Sequence, residues 1–309
     1  MYELVSRQVQ TWPEEERWTP PEHSLGYSSL GVNPLSPQRV RVEMRPEPEA
    51  APFRLYYLTF PHIEVPHAFS TRRGGVSVGP YRGLNIGLTT DDSLAAVEAN
   101  RARFTAASGL PLTPVLAMVH GVEVVRVDGH GDGLILGDAC ITDKPGQSMM
   151  ITTADCVPII FYDPQRPAVG LAHAGWRGTV ERIAKATVEA MQRQFGSDPA
   201  QLRVGVGPSI GPCSFEVGED VAAKFTFAFS GSLWGQEIVL QDGKGQGRGC
   251  TVDLWLANLI ALYEAGVKAE NICLSRLCSA CRDDYFYSYR RDRQVTGRMA
   301  AAVLLPQKS

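Results

Sequence analysis

The chain has 309 residues, a formal net charge of −3, 44% hydrophobic and 20% charged residues. That is the balance of a globular protein with a substantial core, in one large domain or two ordinary ones. The small net charge gives no electrostatic case for nucleic acid or an anionic membrane surface, and no apolar run approaches the roughly 18 residues that span a bilayer.

Residues 1–50 are proline-rich and weakly periodic, carry the acidic run Glu14-Glu15-Glu16 and end in RPEPEAAP. They read as an extended N-terminal arm, and 51–309 as a single catalytic domain. The start, MYELVSRQVQ, lacks the basic and apolar regions of a signal peptide, so a cytoplasmic location is expected. Next, SLAAVEANRARFTAASG places Leu94, Val97, Arg101 and Phe104 about one turn apart, with Ser93 as N-cap and Gly109 as terminator. SMMITTADCVPIIFYDP holds two β-rich halves around a polar centre, and AVGLAHAGW is a strand that breaks at Gly175. VERIAKATVEAMQRQFG aligns Val180, Ala184, Val188 and Met191 on one helical face and closes at Gly196. LRVGVGPSIG is a strand and turn in which Gly207, Pro208 and Ser209 are candidate pocket-lining residues. TVDLWLANLIALYEAG is a last helix, with Leu254, Leu259, Leu262 and Tyr263 for a core and Gly266 at its end. Mixed helix and strand with short connections predicts α+β or α/β layers.

Seven cysteines are too few, and odd in number, for a disulfide framework. Taken singly, His120 in AMVHGVEV and Cys156 in TTADCVPII read as hydrogen-bonded or inert core residues. Together with His173 in GLAHAGWRG they form a thiolate and two imidazoles, each at a strand end beside Gly, Ala or Asp. That set suits Zn²⁺ and leaves a fourth position for water or substrate, the pattern of catalytic sites. Arg72, Arg73, Arg177, Arg290 and Arg291 lie beside glycine or aromatics, a setting for capture of phosphate or carboxylate. Cys278-Ser279-Ala280-Cys281 is a lone CxxC with no second pair and no histidines at finger spacing, and reads as structural thiols.

The segments FSTRRGGVSVGPYRGLNIG, MVHG, GDACIT, TTADCVPI, HAGWRGT, VGPSIGPCSFEVG and FYSYRRDRQVTGR run in order from Phe69 to Arg298. Together they resemble the YfiH/YlmD-like proteins, also described as laccase-domain, polyphenol-oxidase-like or peptidoglycan-editing-factor-like proteins. The resemblance implies an α+β fold, a mixed β-sheet sandwich flanked by helices related to the cytotoxic necrotizing factor. It implies metal ligation by His120, Cys156 and His173, and places Asn85 with the arginines among the substrate and phosphate contacts. Cys140 in GDACIT stands where an aliphatic residue is more usual, and the arm is longer than in compact members.

The resemblance further implies zinc-dependent phosphorolysis of adenosine, inosine, guanosine and methylthioadenosine, with adenosine deamination at the same site. Asp155 and Asp138 are candidate proton carriers by adjacency. A copper-dependent phenol oxidase is the first alternative, since His₂Cys near Met118, Met149 or Met150 resembles a blue-copper set. A four-copper enzyme, however, needs on the order of ten imidazoles, and the chain has six histidines. A hydrolase with Cys156 as nucleophile, acting in peptidoglycan editing, is the second alternative. The expected partners are a purine nucleoside and phosphate, with neither nucleic acid nor membrane, and a monomer is expected.

Overall fold

The computed structural model describes residues 55–112, 115–129, 134–240 and 249–307; the arm expected over 1–50 lies outside the described residues. The first of three sheets comprises β1 (Tyr57–Leu58), β2 (His67–Ser70), β3 (Val115–Ala117), β5 (Leu134–Leu136), β7 (Ser148–Thr153) and β15 (Met299–Leu304), in the order β1-β2-β15-β7-β3-β5. The second comprises β4 (Val124–Arg126), β6 (Ala139–Thr142), β8 (Val157–Asp163), β9 (Ala168–Ala174), β10 (Arg203–Val206) and β14 (Ile272–Leu274), in the order β14-β10-β8-β9-β6-β4. Both mix parallel and antiparallel pairs: β15 runs antiparallel to β2 and β7, while β3 runs parallel to β7. A small sheet of β11 (Glu216–Val217), β12 (Val239–Leu240) and β13 (Cys250–Val252) sits beside them.

Side chains alternate between the faces of a strand, and here both faces are buried. In β7, Met149 and Ile151 join Ile160 of β8 and Val169 and Leu171 of β9 in the layer between the two large sheets. Met150 points the other way, into a cluster with Ala300, Ala302 and Phe104 of helix α1 (Leu94–Ser108). On the far side of the second sheet, Ile159, Phe161 and Ala172 meet α3 (Ile183–Phe195) and α5 (Leu254–Glu264). The result is the expected α+β sandwich, helix outside each sheet and sheet against sheet. Each fully buried Leu, Ile or Phe contributes about 1.5–3 kcal/mol of hydrophobic burial. No helix among the described residues is long and apolar enough to cross a membrane.

Local signals agree with this frame, with instructive exceptions. Gly109, Gly196 and Gly266 all close helices at positive φ. Asp253 caps α5 by accepting from the Leu256 amide at 3.0 Å. Ser93 flanks α1 without a side-chain cap; it is Asp92 whose Oδ1 accepts from the Ser93 amide, at 2.8 Å. Tyr263, expected to be available for a core, is exposed, as is Leu94 at the start of α1, while Asn100 is buried. The helix expected through Val180 and Met191 is two helices, α2 (Trp176–Val180) and α3, broken by Arg182 at φ 66°. The break lets the two pieces pack separately: Gly178 approaches the Gly121 carbonyl so closely that a Cβ would lie 2.7 Å from it, while α3 covers the sheet. Arg182 is held by the carbonyl of Ala228 at 2.8 Å, by Ser232 at 3.1 Å and by an ion pair with Glu264. The remaining helix, α4 (Glu219–Ala228), packs Phe225 into the same core.

Candidate metal centre

Register brings the expected ligands to one end of the second sheet. Val157 of β8 pairs with Ala174 of β9, so Cys156 and Gly175 lie just past the same end of that pair. His173 faces Pro158 across it, and the His173 amide donates to the Asp138 carbonyl at 2.8 Å, just ahead of β6. His120 arrives from the other side, three residues beyond β3. One donor atom from each of His120, Cys156 and His173 lies within 4.8 Å of the others, and the two imidazoles are 5.2 Å apart at 61°. His173 is almost fully buried, Cys156 partly, and His120 opens to solvent.

Two features of the backbone make this convergence possible. His120 sits at φ 61°, a left-handed conformation that is uncommon for a residue with a side chain and is sustained here by its surroundings. Asp138 imposes it: its two carboxylate oxygens, fully buried, accept from the amides of His120 and Gly121 at 2.7 Å each. Gly175 supplies the room. A Cβ there would stand 3.2 Å from His120 Nδ1, 3.3 Å from Cys156 Sγ and 3.5 Å from His173 Cε1, filling the space between the three.

The donor set fits a metal ion. Among the described residues His173 Nδ1 is buried with no hydrogen-bond partner, and Asp138 Oδ1 stands 4.0 Å away. Burial, helped by His120, drops the His173 imidazole to about 3, so it is neutral at physiological pH and keeps its lone pair for a cation. Burial, then Asp155, pushes the Cys156 thiol up to about 12, with Arg298 opposing. A bound cation inverts that cost by stabilising the thiolate.

Asp155 precedes Cys156 at φ 95° and is anchored through both oxygens: Ser279 Oγ donates to Oδ1 at 2.6 Å and the Arg290 amide to Oδ2 at 2.7 Å. Burial raises its pKa against those bonds. The other expected contacts separate into distinct settings. Asn85 is fully buried, its amide donating to Thr90 and Asp92 at 2.9 Å each and its oxygen accepting from the Gly87 and Arg298 amides. Arg72 donates to the Asp283 and Arg82 carbonyls and lies over Tyr287; Arg73 pairs with Asp284 and stacks on Tyr285. Arg290 reaches the Glu216 carbonyl, and Arg291 binds Asp292 and the carbonyls of Ser279 and Phe286. Arg177 stacks on Trp176 at 4.4 Å and its guanidinium has no polar partner among the described residues. In the glycine-rich turn, Ser209 Oγ accepts the Trp255 indole N–H at 2.7 Å and Gly207 makes room for Phe69.

Arg298 was not among the expected contacts. Its charge acts on both Cys156 and Asp155, and its guanidinium donates to the Thr296 and Gly297 carbonyls. Burial lowers its pKa. The signal lay in FYSYRRDRQVTGR, whose final arginine follows Gly297 as Arg73 precedes Gly74.

A family profile described as multi-copper polyphenol oxidoreductase laccase matches residues 66–306. A purine nucleoside phosphorylase of Deinococcus radiodurans is 44% identical over 253 residues, 81% of this chain and 93% of that protein. Purine nucleoside phosphorylase YfiH of Escherichia coli is 36% identical over 240 residues, covering 76% and 92%. The crystal structure of YlmD from Geobacillus stearothermophilus superposes with a TM-score of 0.72 at 31% identity, over 85% of this chain and 99% of that one. That of the Bacillus licheniformis hypothetical protein YfiH gives 0.74 at 31% identity, over 82% and 99%. Profile, relatives and fold agree: the chain belongs to the YfiH/YlmD-like, laccase-domain family.

Proposed function

We propose that the chain is a zinc-dependent purine nucleoside phosphorylase, acting on adenosine, inosine, guanosine and methylthioadenosine, that also deaminates adenosine. The observation that carries this reading is the convergence of His120, Cys156 and His173 around the space left by Gly175, with no fourth ligand in the group among the described residues. Three protein ligands with an open position fit a catalytic ion better than a structural one. The substrate class follows the names of the relatives. When bound there, zinc supplies a Lewis acid at the open position.

The chain's own residues have separable roles in this reading. Asp138 is a positioning residue, since both its oxygens accept from backbone amides, which hold His120 and cannot relay a proton, whereas one oxygen of Asp155 meets a hydroxyl. Asp155, its carboxyl raised by burial and adjacent to Cys156, is the better proton carrier, exchanging a proton at Oδ1 through the Ser279 hydroxyl. Arg177 is assigned to phosphate, because its guanidinium has no polar partner among the described residues and lies over the Trp176 ring. Arg72, Arg73, Arg290 and Arg291 are committed to carbonyls and carboxylates of the fold, and Asn85 fixes the backbone of Arg298. The enzyme is read as a monomer in the cytoplasm with a small-molecule substrate and no membrane or nucleic-acid partner.

The description of the matching profile favours a second reading, a copper oxidase. Against it, His62 bonds the Val204 carbonyl, while His67 bonds the Val65 carbonyl and accepts from the Phe60 amide. The described histidines outside the triad are therefore committed, and a four-copper set lacks its imidazoles. A Cys156 nucleophile runs against the upward push on its thiol. Incubation with adenosine, with and without phosphate, decides between these. Adenine formed only with phosphate supports phosphorolysis, and inosine formed without it supports deamination. No turnover of adenosine, with oxygen uptake on a phenol, would replace the purine reading by the copper one.

A further inference from the structure

A second cluster of metal-ligating side chains lies outside this centre. The lone CxxC acquires a third sulfur from far away in sequence. Residues 209 and 278 form a parallel bridge, with the Ser279 amide donating to the Ser209 carbonyl at 2.9 Å, so the turn after β10 runs beside the CxxC segment. Cys213 thereby meets Cys278 and Cys281, and the three Sγ atoms lie within 4.8 Å of one another. Cys213 and Cys281 are 3.3 Å apart and open to solvent, while Cys278 is buried beneath them. Three thiolates on one zinc ion at about 2.3 Å would be about 3.8 Å apart, so the cluster needs only a small adjustment to close on a cation.

The surroundings are those of a thiolate. The Gly211 amide donates to Cys278 Sγ at 3.3 Å, and the Cys281 amide also points at it. Ser214 Oγ lies 3.3 Å from Cys281 Sγ and 3.6 Å from the sulfurs of Cys213 and Cys278. The Gly211 amide, 3.3 Å from Cys278 Sγ, bonds a thiolate more strongly than a neutral thiol. A disulfide between Cys213 and Cys281 would leave Cys278 with its amides and no function for them, and would require an oxidant.

We propose that Cys213, Cys278 and Cys281 form a second metal site that holds a thiophilic cation such as Zn²⁺ through three thiolates, with water at the fourth position. On binding, each protonated thiol releases its proton to solvent, so affinity falls as pH falls. The ion joins the 211–214 turn to the 278–281 segment. Ser279, inside that segment, holds Asp155 at 2.6 Å, and Arg291 holds the Ser279 carbonyl at 2.9 Å. The second site is thus a clip that steadies the residue next to Cys156. This inference rests on the sulfurs alone and does not depend on the proposed reaction.

The test is metal binding by the reduced full chain, loaded with Zn²⁺ and then dialysed, and separately loaded with Co²⁺. Wild type should hold two zinc ions, and Cys156→Ala and the double variant Cys213→Ser/Cys281→Ser one each. These two cysteines are exposed, so their replacement leaves the core intact. The thiolate-to-cobalt band should be roughly threefold stronger in Cys156→Ala than in the double variant, following the number of thiolates. One ion in wild type that survives in Cys156→Ala and vanishes in the double variant would support this site while removing the first. Equal metal content in wild type and the double variant would overturn it. So would a Cys213–Cys281 disulfide that persists in the reduced, zinc-loaded protein.

Discussion

His120 is held in a conformation that costs of order 1–3 kcal/mol for a residue with a side chain, and Asp138 is what sustains it. Asp138→Asn keeps the shape but turns an NH₂ toward one of the two amides, leaving a buried donor unsatisfied. The expected loss is about 1–3 kcal/mol of stability, read from the urea midpoint, together with weaker metal binding. Gly175→Ala tests the cradle itself. Its methyl group would crowd His120 Nδ1 and Cys156 Sγ while leaving the fold unchanged. Metal affinity should fall by about 10–100-fold in competition with a chelator, the range seen when the support of metal ligands is disturbed. Unchanged affinity would mean that the ion binds elsewhere.

The elements show how far the sequence could be read. Helix α1 was legible from its apolar spacing and Gly109, and its core contact is Phe104, edge-on to Tyr57 at 6.2 Å. Phe104→Ala should cost about 3–5 kcal/mol, measured by thermal or urea unfolding, because the ring is fully buried between helix and sheet. What periodicity missed is Asn100, one position from the Arg101 expected on that face. Its amide donates to Ser77 Oγ and to the carbonyls of Gly83 and Asn85, while its oxygen accepts from the Val76 amide. A polar residue buried by a loop folded back over it leaves no trace in an apolar pattern. The break at Arg182 was hidden for a related reason, since the apolar spacing from Val180 to Met191 runs through it and tertiary packing decides where the two helices part. Sheet order was equally invisible: β15, last in the chain, inserts between β2 and β7. The three candidate ligands stood out by residue type and motif, whereas the Asp138 clamp and the approach of Cys213 to Cys281, 68 residues apart, exist only once strands have paired.

At the scale of the whole molecule, the two sites predict a stability that depends on metal. An ion that binds only the folded chain raises its stability, by about 2.7 kcal/mol at a free concentration of 100 times Kd. In the Cys213→Ser/Cys281→Ser background, zinc added to chelated protein should therefore raise Tm, and Cys156→Ala in the same background should abolish the rise. The sandwich brings β3, β6, β8 and β9 to a common end, and one thiol and two imidazoles from three separate stretches of chain meet there. The direct test of that centre is phosphate-dependent release of adenine from adenosine by wild type and by Cys156→Ala, with folding of each checked by its unfolding midpoint. Release by wild type, lost on chelation, restored by zinc and absent from the folded variant, is the predicted result. Release that persists undiminished in Cys156→Ala would contradict the account.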